Sequence, residues 1–223
     1  MTSSSTPGRG RPARLDRAGT VDTALELLDE LGLDALTMRR LADRLGVQAG
    51  ALYRHFTTKQ DLLTAMAERM LGDIRTPPGA PADWAGHLRA LARAMRRALL
   101  ARRDGARVFG GTHSVGPHTL GFAESVLGVL REAGFTDEDA ARTCMTLVNF
   151  TLGHTLEEQA ASAPSEGGSP VDADRLRNAV LAGPYPHLTA AMPVLTSTDF
   201  DAHFAFALDI QIAGLRHLRS HAE

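Results

Sequence analysis

The stretch Thr37-Met-Arg-Arg-Leu-Ala-Asp-Arg-Leu-Gly-Val-Gln-Ala-Gly-Ala-Leu-Tyr-Arg-His-Phe56 decides the fold, because it predicts a helix, a tight turn and a second helix. Thr37 is a good N-cap, and Gly46 can take the left-handed conformation that ends a helix. Ala42 is small where the two helices cross, and Leu52 is expected to point inward. This spacing is typical of a helix-turn-helix, which presents its second helix to the major groove of DNA.

Polar side chains around this turn suit a DNA surface. Arg39 can bind guanine or a phosphate through its planar guanidinium, and Gln48 stands at the entry of the second helix, where it could read adenine. Phosphate oxygens are within reach of four further side chains. These are Tyr53, Arg54, His55 and Lys59. The alternative is a structural three-helix unit with a solvated charged face, since short helix pairs are common in all-α proteins.

Helical periodicity continues on both sides of the motif. Asp16 is predicted to cap a first helix that Gly32 ends. Thr58, with Asp61 as its capping-box partner, opens a fourth helix that we expect to run to Arg75. The segment 76–81 is rich in proline and forms the best candidate for a domain boundary. It separates a unit at 15–75 from a larger unit at 82–223.

The larger unit also has a helical pattern. Asp83 is expected to cap a long helix, and the glycine-rich segment 105–116 holds at most a short one. Further helices are predicted near 116–133, 136–161 and 171–181, with a polar loop at 162–170. The last helix is expected to begin at Thr198 with Asp201. No strand alternation with hairpin signals occurs, so the predicted class is all-α.

Composition excludes several classes of protein. The chain has 223 residues, of which 43% are hydrophobic and 22% charged, and this is typical of a folded globular chain. No run of 18 apolar residues occurs, so no membrane association is expected. Cys144 is the single cysteine, and the first ten residues do not resemble a secretory signal, so a reducing, cytoplasmic location is expected.

The net charge of −2 hides an uneven distribution. Residues 1–75 carry 11 basic and 10 acidic side chains, or +1, and residues 76–223 carry 13 and 16, or −3. Residues 1–14 form a predicted flexible basic arm with Arg9, Arg11 and Arg14. The arm is either a disordered tail or a segment that lies in the minor groove.

Residues 15 to about 75 resemble the DNA-binding domain of the tetracycline repressor (TetR) family. The resemblance rests on Leu36-Thr37, Leu41-Ala42, Leu45-Gly46-Val47, Leu52-Tyr53-Arg54-His55-Phe56, Lys59 and Leu62-Leu63. It implies a regulator that binds a double-stranded DNA operator. The base-facing positions that it implies are Arg39, Gln48, Ala49, Gly50 and Ala51, and the phosphate-binding positions are Thr37, Tyr53, His55 and Lys59. Because three base-facing residues are small, operator choice is expected to depend on Arg39, Gln48, Arg54 and DNA shape.

The remainder resembles the C-terminal domain of the tetracycline repressors themselves. Motifs that carry this resemblance are Arg96-Arg97-Ala98-Leu99-Leu100, Arg103-Asp104-Gly105-Ala106, Gly111-Thr112 and Phe150-Thr151-Leu152-Gly153. It implies a ligand-binding and dimerisation domain, with a homodimer in which helices near 137–161 and 198–219 form an intersubunit four-helix bundle. The spacing of Phe204, Leu208, Ile212, Leu215 and Leu218 suits such a seam, although an ordinary core-facing stripe has the same pattern.

The sequence departs from those repressors at the effector site. They bind a magnesium–drug chelate through a histidine whose position is held here by Phe109, and Glu157 alone cannot form a magnesium site. Other positions matching their drug contacts are Arg75, Leu91, Met95, Thr112 and Val126. With His154 as a further polar group, these residues predict a largely apolar, metal-free pocket for a small-molecule effector such as a polyketide-like metabolite, and no cofactor.

The mechanism that this resemblance implies is a population shift between two dimer states, in which the effector releases DNA through the fourth helix. Two rival functions stay open. One is a helical-bundle enzyme, for which no Ser/His/Asp set, phosphate loop or paired metal motif is present in the sequence. The other is a ligand-independent DNA-binding protein. The chain is therefore not expected to be an enzyme.

Overall fold

The computed structural model describes residues 16–72, 74, 83–162 and 173–220, and every regular element within these ranges is a helix. In chain order the helices are α1 (Arg17–Leu31), α2 (Met38–Leu45), α3 (Ala49–Tyr53), α4 (Lys59–Met70), α5 (Trp84–Leu100), α6 (Gly105–Gly110), α7 (Pro117–Glu132), α8 (Asp137–Ser162), α9 (Ala173–Leu181), α10 (Pro186–Leu195) and α11 (Phe200–Ser220). The all-α prediction is confirmed.

Helices α1 to α4 form one unit, which we call the reading head (residues 16–72). The capping signals act as predicted: Asp16 accepts from the Gly19 amide, and Thr58 and Asp61 form a reciprocal capping box. Gly46 ends α2 with φ of 65°, in the left-handed region that favours glycine. The core of the head consists of fully buried apolar side chains. They are Leu25, Leu28, Leu36, Leu41, Leu52, Phe56, Leu62 and Met66.

Helices α5 to α11 form the second unit, which we call the body (residues 83–220). Helix α8 packs against α5, α6 and α7, and α5 also packs against α7. Trp84 at the start of α5 meets Phe135 edge-on, with ring centroids 5.3 Å apart. The body core is apolar along the inner faces of these helices. It includes Leu88, Leu91, Met95, Leu99, Val126, Leu130 and Leu147.

Two helix boundaries and one additional helix differ from the predictions. Helix α4 ends at Met70 rather than Arg75, because Leu71 and Gly72 form a turn. Helix α11 begins at Phe200, and the carboxylate of Asp199 accepts from the Ala202 amide at 2.9 Å, so Asp199 is the cap rather than Thr198. Helix α10 was not predicted.

The apolar stripe on α11 faces its own subunit. Phe204, Leu208, Ile212 and Leu215 are buried against the body core, and only Leu218 of the predicted seam is exposed. A second set of apolar side chains on α11, Phe206 and Ile210, is 68% and 58% exposed. For these four residues the core-facing alternative is therefore the one that the structure supports, and the intersubunit bundle itself stays a prediction.

Several predictions fall outside the described residues. These concern the arm at 1–14, Arg75, the boundary at 76–81 and the loop after Ser162. Within the described part of the chain, no helix is both long and apolar enough to cross a membrane.

Candidate DNA interface and effector site

The predicted DNA face lies on α2 and α3. Arg39, Gln48, Tyr53 and Arg54 are exposed. Among the described residues, none forms a hydrogen bond or ion pair with the side chain of Arg39 or Arg54. Their guanidinium groups therefore have their full hydrogen-bonding capacity available to phosphates or base edges.

The small residues of α3 leave its outer surface open. Ala49 and Ala51 are half-buried and Gly50 is exposed, with no atom within 4 Å of the place where a Cβ would stand. Thr37 is exposed and its hydroxyl accepts from the Arg40 amide at 3.2 Å, so the same oxygen can still donate to a phosphate. A duplex could thus approach the α3 backbone closely.

Two other predicted DNA contacts also have internal partners. Lys59 is half-buried, and its Nζ donates to the Leu33 carbonyl at 3.4 Å. The backbone carbonyl of His55 accepts from Arg17 at 2.8 Å, and the Arg17 guanidinium lies 4.6 Å from the centre of the Phe56 ring. The first contact ties the start of α4 to the end of α1, and the second ties the start of α1 to the end of α3. Lys59 therefore stabilises the reading head in addition to its predicted role in binding DNA.

Most predicted effector contacts belong to the body core. Leu91, Met95 and Val126 are fully buried, and the half-buried Phe109 packs against the same core from α6. Thr112 is half-buried and its hydroxyl donates to the Phe109 carbonyl at 2.9 Å. The structure therefore places four of these residues in or against one core, and Thr112 is bonded to the carbonyl of one of them.

His154 and Glu157 lie elsewhere on α8. The His154 ring lies among Phe150, Phe200 and Phe204, and its Nε2 is 3.1 Å from the Phe200 carbonyl. Burial lowers the pKa of His154, and the nearby positive charge of Arg96 adds to this effect. Glu157 is exposed. His154 therefore lies at the contact between α8 and α11, and Glu157 does not share its surroundings.

A charged cluster that the sequence patterns did not reveal joins α5, α8 and α11. Arg96 is buried and binds Glu158 through two nitrogens at 2.7 Å each, while a third bond of 2.5 Å reaches Asp201. The hydrogen bonds that Arg96 donates to Glu158 and Asp201 raise its pKa. The only sequence signal was an arginine among the apolar positions of α5. This cluster holds the start of α11 on the body.

The body also binds the reading head through hydrogen bonds and ion pairs of charged side chains. Asp29 accepts from the Arg102 side chain at 2.7 Å and from the Arg103 amide at 2.9 Å. Asp104, which takes a positive φ of 57°, accepts from the Leu33 amide at 2.8 Å. Arg107 binds Asp34 at 2.9 Å. Several contacts besides helix α4 therefore connect the two units.

Helices α6 and α7 contact α4 directly. Gln60 donates to the Gly111 carbonyl at 2.6 Å. The carboxylate of Glu68 accepts from Ser114 and Thr119 hydroxyls at 2.8 and 2.7 Å, and from the backbone amides of His118 and Thr119. Burial tends to raise the pKa of Glu68, but these four donors outweigh it and lower that pKa.

The donor set for a magnesium chelate does not fit. In the part of the chain that the structure describes, no three His, Cys, Asp or Glu side chains stand close enough to hold a metal ion. The Phe109 side chain has only carbon atoms, and Glu157 is exposed rather than turned into the core. No step through magnesium can be built on these residues.

Comparison with known families identifies both units. Residues 21–66 match the model described as "Bacterial regulatory proteins, tetR family", and residues 77–219 match "Tetracyclin repressor-like, C-terminal domain". The tetracycline repressor protein class C of Escherichia coli is 40% identical over 208 residues, which cover 92% of this chain and 93% of that relative. Its name as a repressor agrees with a regulator rather than an enzyme.

Solved structures give the same assignment. A possible TetR family transcriptional regulator from Streptomyces coelicolor A3(2) is 62% identical with a TM-score of 0.84, over 91% of this chain and 100% of that one. The S. coelicolor TetR family protein ActR, solved in complex with actinorhodin, is 34% identical with a TM-score of 0.83, over 92% of this chain and 98% of that one. The chain therefore belongs to the TetR family of bacterial transcriptional regulators.

Proposed function

We propose that this protein is a dimeric repressor that a small, largely apolar effector releases from a palindromic operator in the cytoplasm. The observation that carries this proposal is the position of α6. This helix packs against the body core through Phe109 and binds the reading head through Arg107. A molecule inserted beside Phe109 would therefore displace a helix that directly holds the head.

The coupling follows from these contacts. Gln60 on α4 is bound to the carbonyl of Gly111, just after α6, and Asp34 between α1 and α2 is bound to Arg107 within α6. A shift of α6 must therefore break or move both bonds. Such a shift tilts the head between two arrangements, of which one matches the operator. A difference in effector affinity of 10-fold between the two arrangements changes operator affinity by the same factor, or about 1.4 kcal/mol.

The side chains of the predicted effector contacts favour an effector with a large apolar body and few polar groups. Leu91, Met95 and Val126 offer only hydrocarbon and sulfur, and Thr112 is the nearest hydroxyl among the predicted contacts. ActR was solved with actinorhodin, and the likeness to ActR supports a polycyclic secondary metabolite for this chain too. We propose that binding needs no metal.

A palindromic operator requires two heads. In a dimer, two α3 helices about 34 Å apart would enter successive major grooves on one side of the duplex. Exposed apolar side chains on α8 and α11 support such a dimer. They are Met145, Phe206, Ile210 and Leu218.

The test is fluorescence anisotropy with a labelled duplex from DNA upstream of the protein's own gene. We expect the protein to bind this duplex, and an unlabelled scrambled duplex should not compete. Adding actinorhodin or a related polycyclic metabolite should lower the affinity for the duplex by about 10-fold or more. Tetracycline with Mg²⁺ should leave the complex intact.

The Thr112→Val variant separates effector binding from DNA binding. We expect it to keep its operator affinity and to respond more weakly to the metabolite, because it loses a hydroxyl but keeps its volume. Equal affinity for every duplex, with no response to any metabolite, would establish the ligand-independent alternative instead.

A further inference from the structure

A cavity of about 530 Å³ lies at the junction of the reading head and the body. Its walls come from α1 through Leu25, from α4 and the turn that follows it through Met70 and Ile74, and from α5 through Ala94 and Ala98. None of the predicted effector contacts that the structure describes lines it. Its volume lies within the range of small-molecule sites in proteins, and we call it the hinge cavity.

The polar lining of the hinge cavity is entirely basic among the described residues. Three guanidinium groups reach it, from Arg69, Arg97 and Arg102, and no carboxylate lines it. Arg69 binds Asp22 at 3.0 Å and Arg102 binds Asp29 at 2.7 Å, both across the wall formed by α1. Arg97 has no ion-pair partner within the described ranges. Within the part of the chain that the structure describes, the guanidinium of Arg97 is therefore a positive charge at the cavity that no carboxylate neutralises.

The floor of the same cavity is apolar. Leu25 and Met70 are buried, and Ile74, Ala94 and Ala98 are half-buried. Small side chains on α5 keep the space open, since a larger residue at Ala98 would project into it. Apolar walls with basic groups at the rim are suited to a molecule with a hydrocarbon body and an anionic group.

We propose that the hinge cavity is a second ligand site, which binds a small organic anion with an aromatic or acyl body. Its carboxylate or sulfonate is held by Arg97, and it competes with Asp29 for Arg102. Binding therefore weakens an ion pair that joins the body to the head. The site itself is independent of the proposed repressor function, whereas its effect on DNA rests on that function.

The test uses anilinonaphthalene sulfonate, an aromatic sulfonate whose fluorescence rises on leaving water, titrated into the full-length protein without DNA. We expect saturable binding that weakens about 10-fold in Arg97→Gln, because a charge-assisted contact is lost, and at least as much in Ala98→Leu, because the cavity is filled. The uncharged analogue phenylnaphthylamine should bind more weakly and should not respond to Arg97→Gln.

The matched control is Arg93→Gln. Arg93 is exposed one turn earlier on α5 and lines a different cavity, so this variant has the same change of charge and should bind the sulfonate like the parent. Circular dichroism verifies that all three variants fold. Parental affinity in both Arg97→Gln and Ala98→Leu would overturn the proposal.

The effect on DNA is measured separately by anisotropy. The sulfonate should lower operator affinity of the parent severalfold and leave that of Arg97→Gln unchanged. A protein that binds the sulfonate through Arg97 but does not recognise an operator would refute the repressor function and keep the site. Operator binding without Arg97-dependent sulfonate binding would refute the site and keep the repressor function.

Discussion

Arg39 and Lys59 are both basic and both match positions of the DNA-binding motif, yet their surroundings differ. Arg39 projects from α2 with no partner among the described residues, while the Lys59 ammonium lies 3.4 Å from the Leu33 carbonyl. An unpartnered guanidinium loses no internal bond when it binds DNA. A substitution of Arg39 is therefore expected to change the affinity for the operator without changing the stability of the protein.

The Arg39→Ala substitution should weaken operator binding by about 1–3 kcal/mol and relax the preference for the operator over a scrambled duplex. Its melting temperature should stay at the parental value, since Arg39 supports nothing inside the head. Anisotropy titrations and thermal denaturation measure the two effects. Arg40→Ala is the matched control. It removes the same charge from α2, but the Arg40 guanidinium donates to the Ala35 carbonyl at 3.0 Å and is not assigned to the DNA face. Parental affinity in Arg39→Ala would contradict the assigned DNA face.

Local signals in the sequence predicted the caps of the head correctly. Asp16, Thr37, Gly46 and the Thr58–Asp61 pair act through residues three or four positions away, so their partners can be read from the sequence. The partners of Lys59 and Arg96 could not be predicted in this way. The Leu33 carbonyl and the Glu158 carboxylate are brought to them by tertiary packing, over 26 and 62 positions of chain.

At the scale of elements, Glu68 connects α4 to the first turn of α7. The carboxylate accepts from the backbone amides of His118 and Thr119, which are among the amides at a helix N-terminus that lack partners within the helix. Its charge also lies at the positive end of the α7 dipole. One side chain therefore fixes the position of a body helix relative to the head.

Replacing Glu68 with Gln should lower the free energy of unfolding by about 1–2 kcal/mol at neutral pH, because charge-assisted bonds become neutral ones. The pKa of Glu68 is lowered in the folded state, so its contribution is present above the unfolded pKa and disappears as pH falls through the folded value. Urea denaturation at about pH 7 and about pH 3.5 should show the difference from the parent shrinking. If the variant is less stable than the parent by the same amount at both pH values, the ionised carboxylate of Glu68 is not the source of the lost stability.

A glutamate on α7 provides the control for this experiment. Glu124 is exposed and has no hydrogen-bond or ion-pair partner within the described part of the chain. Glu124→Gln should therefore unfold like the parent at both pH values.

Helix lengths were less predictable than helix positions. Helix α10 begins at Pro186 and contains Pro193, and two prolines within eight residues concealed its pattern. Helix α4 was predicted to be longer than it is, since apolar spacing continues to Ile74 although the helix ends at Met70.

At the scale of the molecule, α11 has apolar side chains on two faces. One face, with Phe204, Leu208 and Ile212, is buried in the body, and the other exposes Phe206 and Ile210. Exposed apolar groups aligned on one long helix are typical of a protein–protein interface. Since a homodimer places the same surface of both copies in contact, this second face supplies the seam of the proposed dimer.

Replacing Ile210 with Lys should therefore split the dimer without unfolding the subunit. Light scattering at micromolar concentration should change from twice the chain mass of 23.8 kDa to that mass alone, because two buried lysines would face each other across the two-fold axis. Val115→Lys is the control: Val115 is 80% exposed in the segment before α7, so that variant should stay dimeric. A parent that is itself monomeric would contradict the dimer. If Ile210→Lys is monomeric and still binds a palindrome as tightly as the parent, recognition does not depend on pairing two heads.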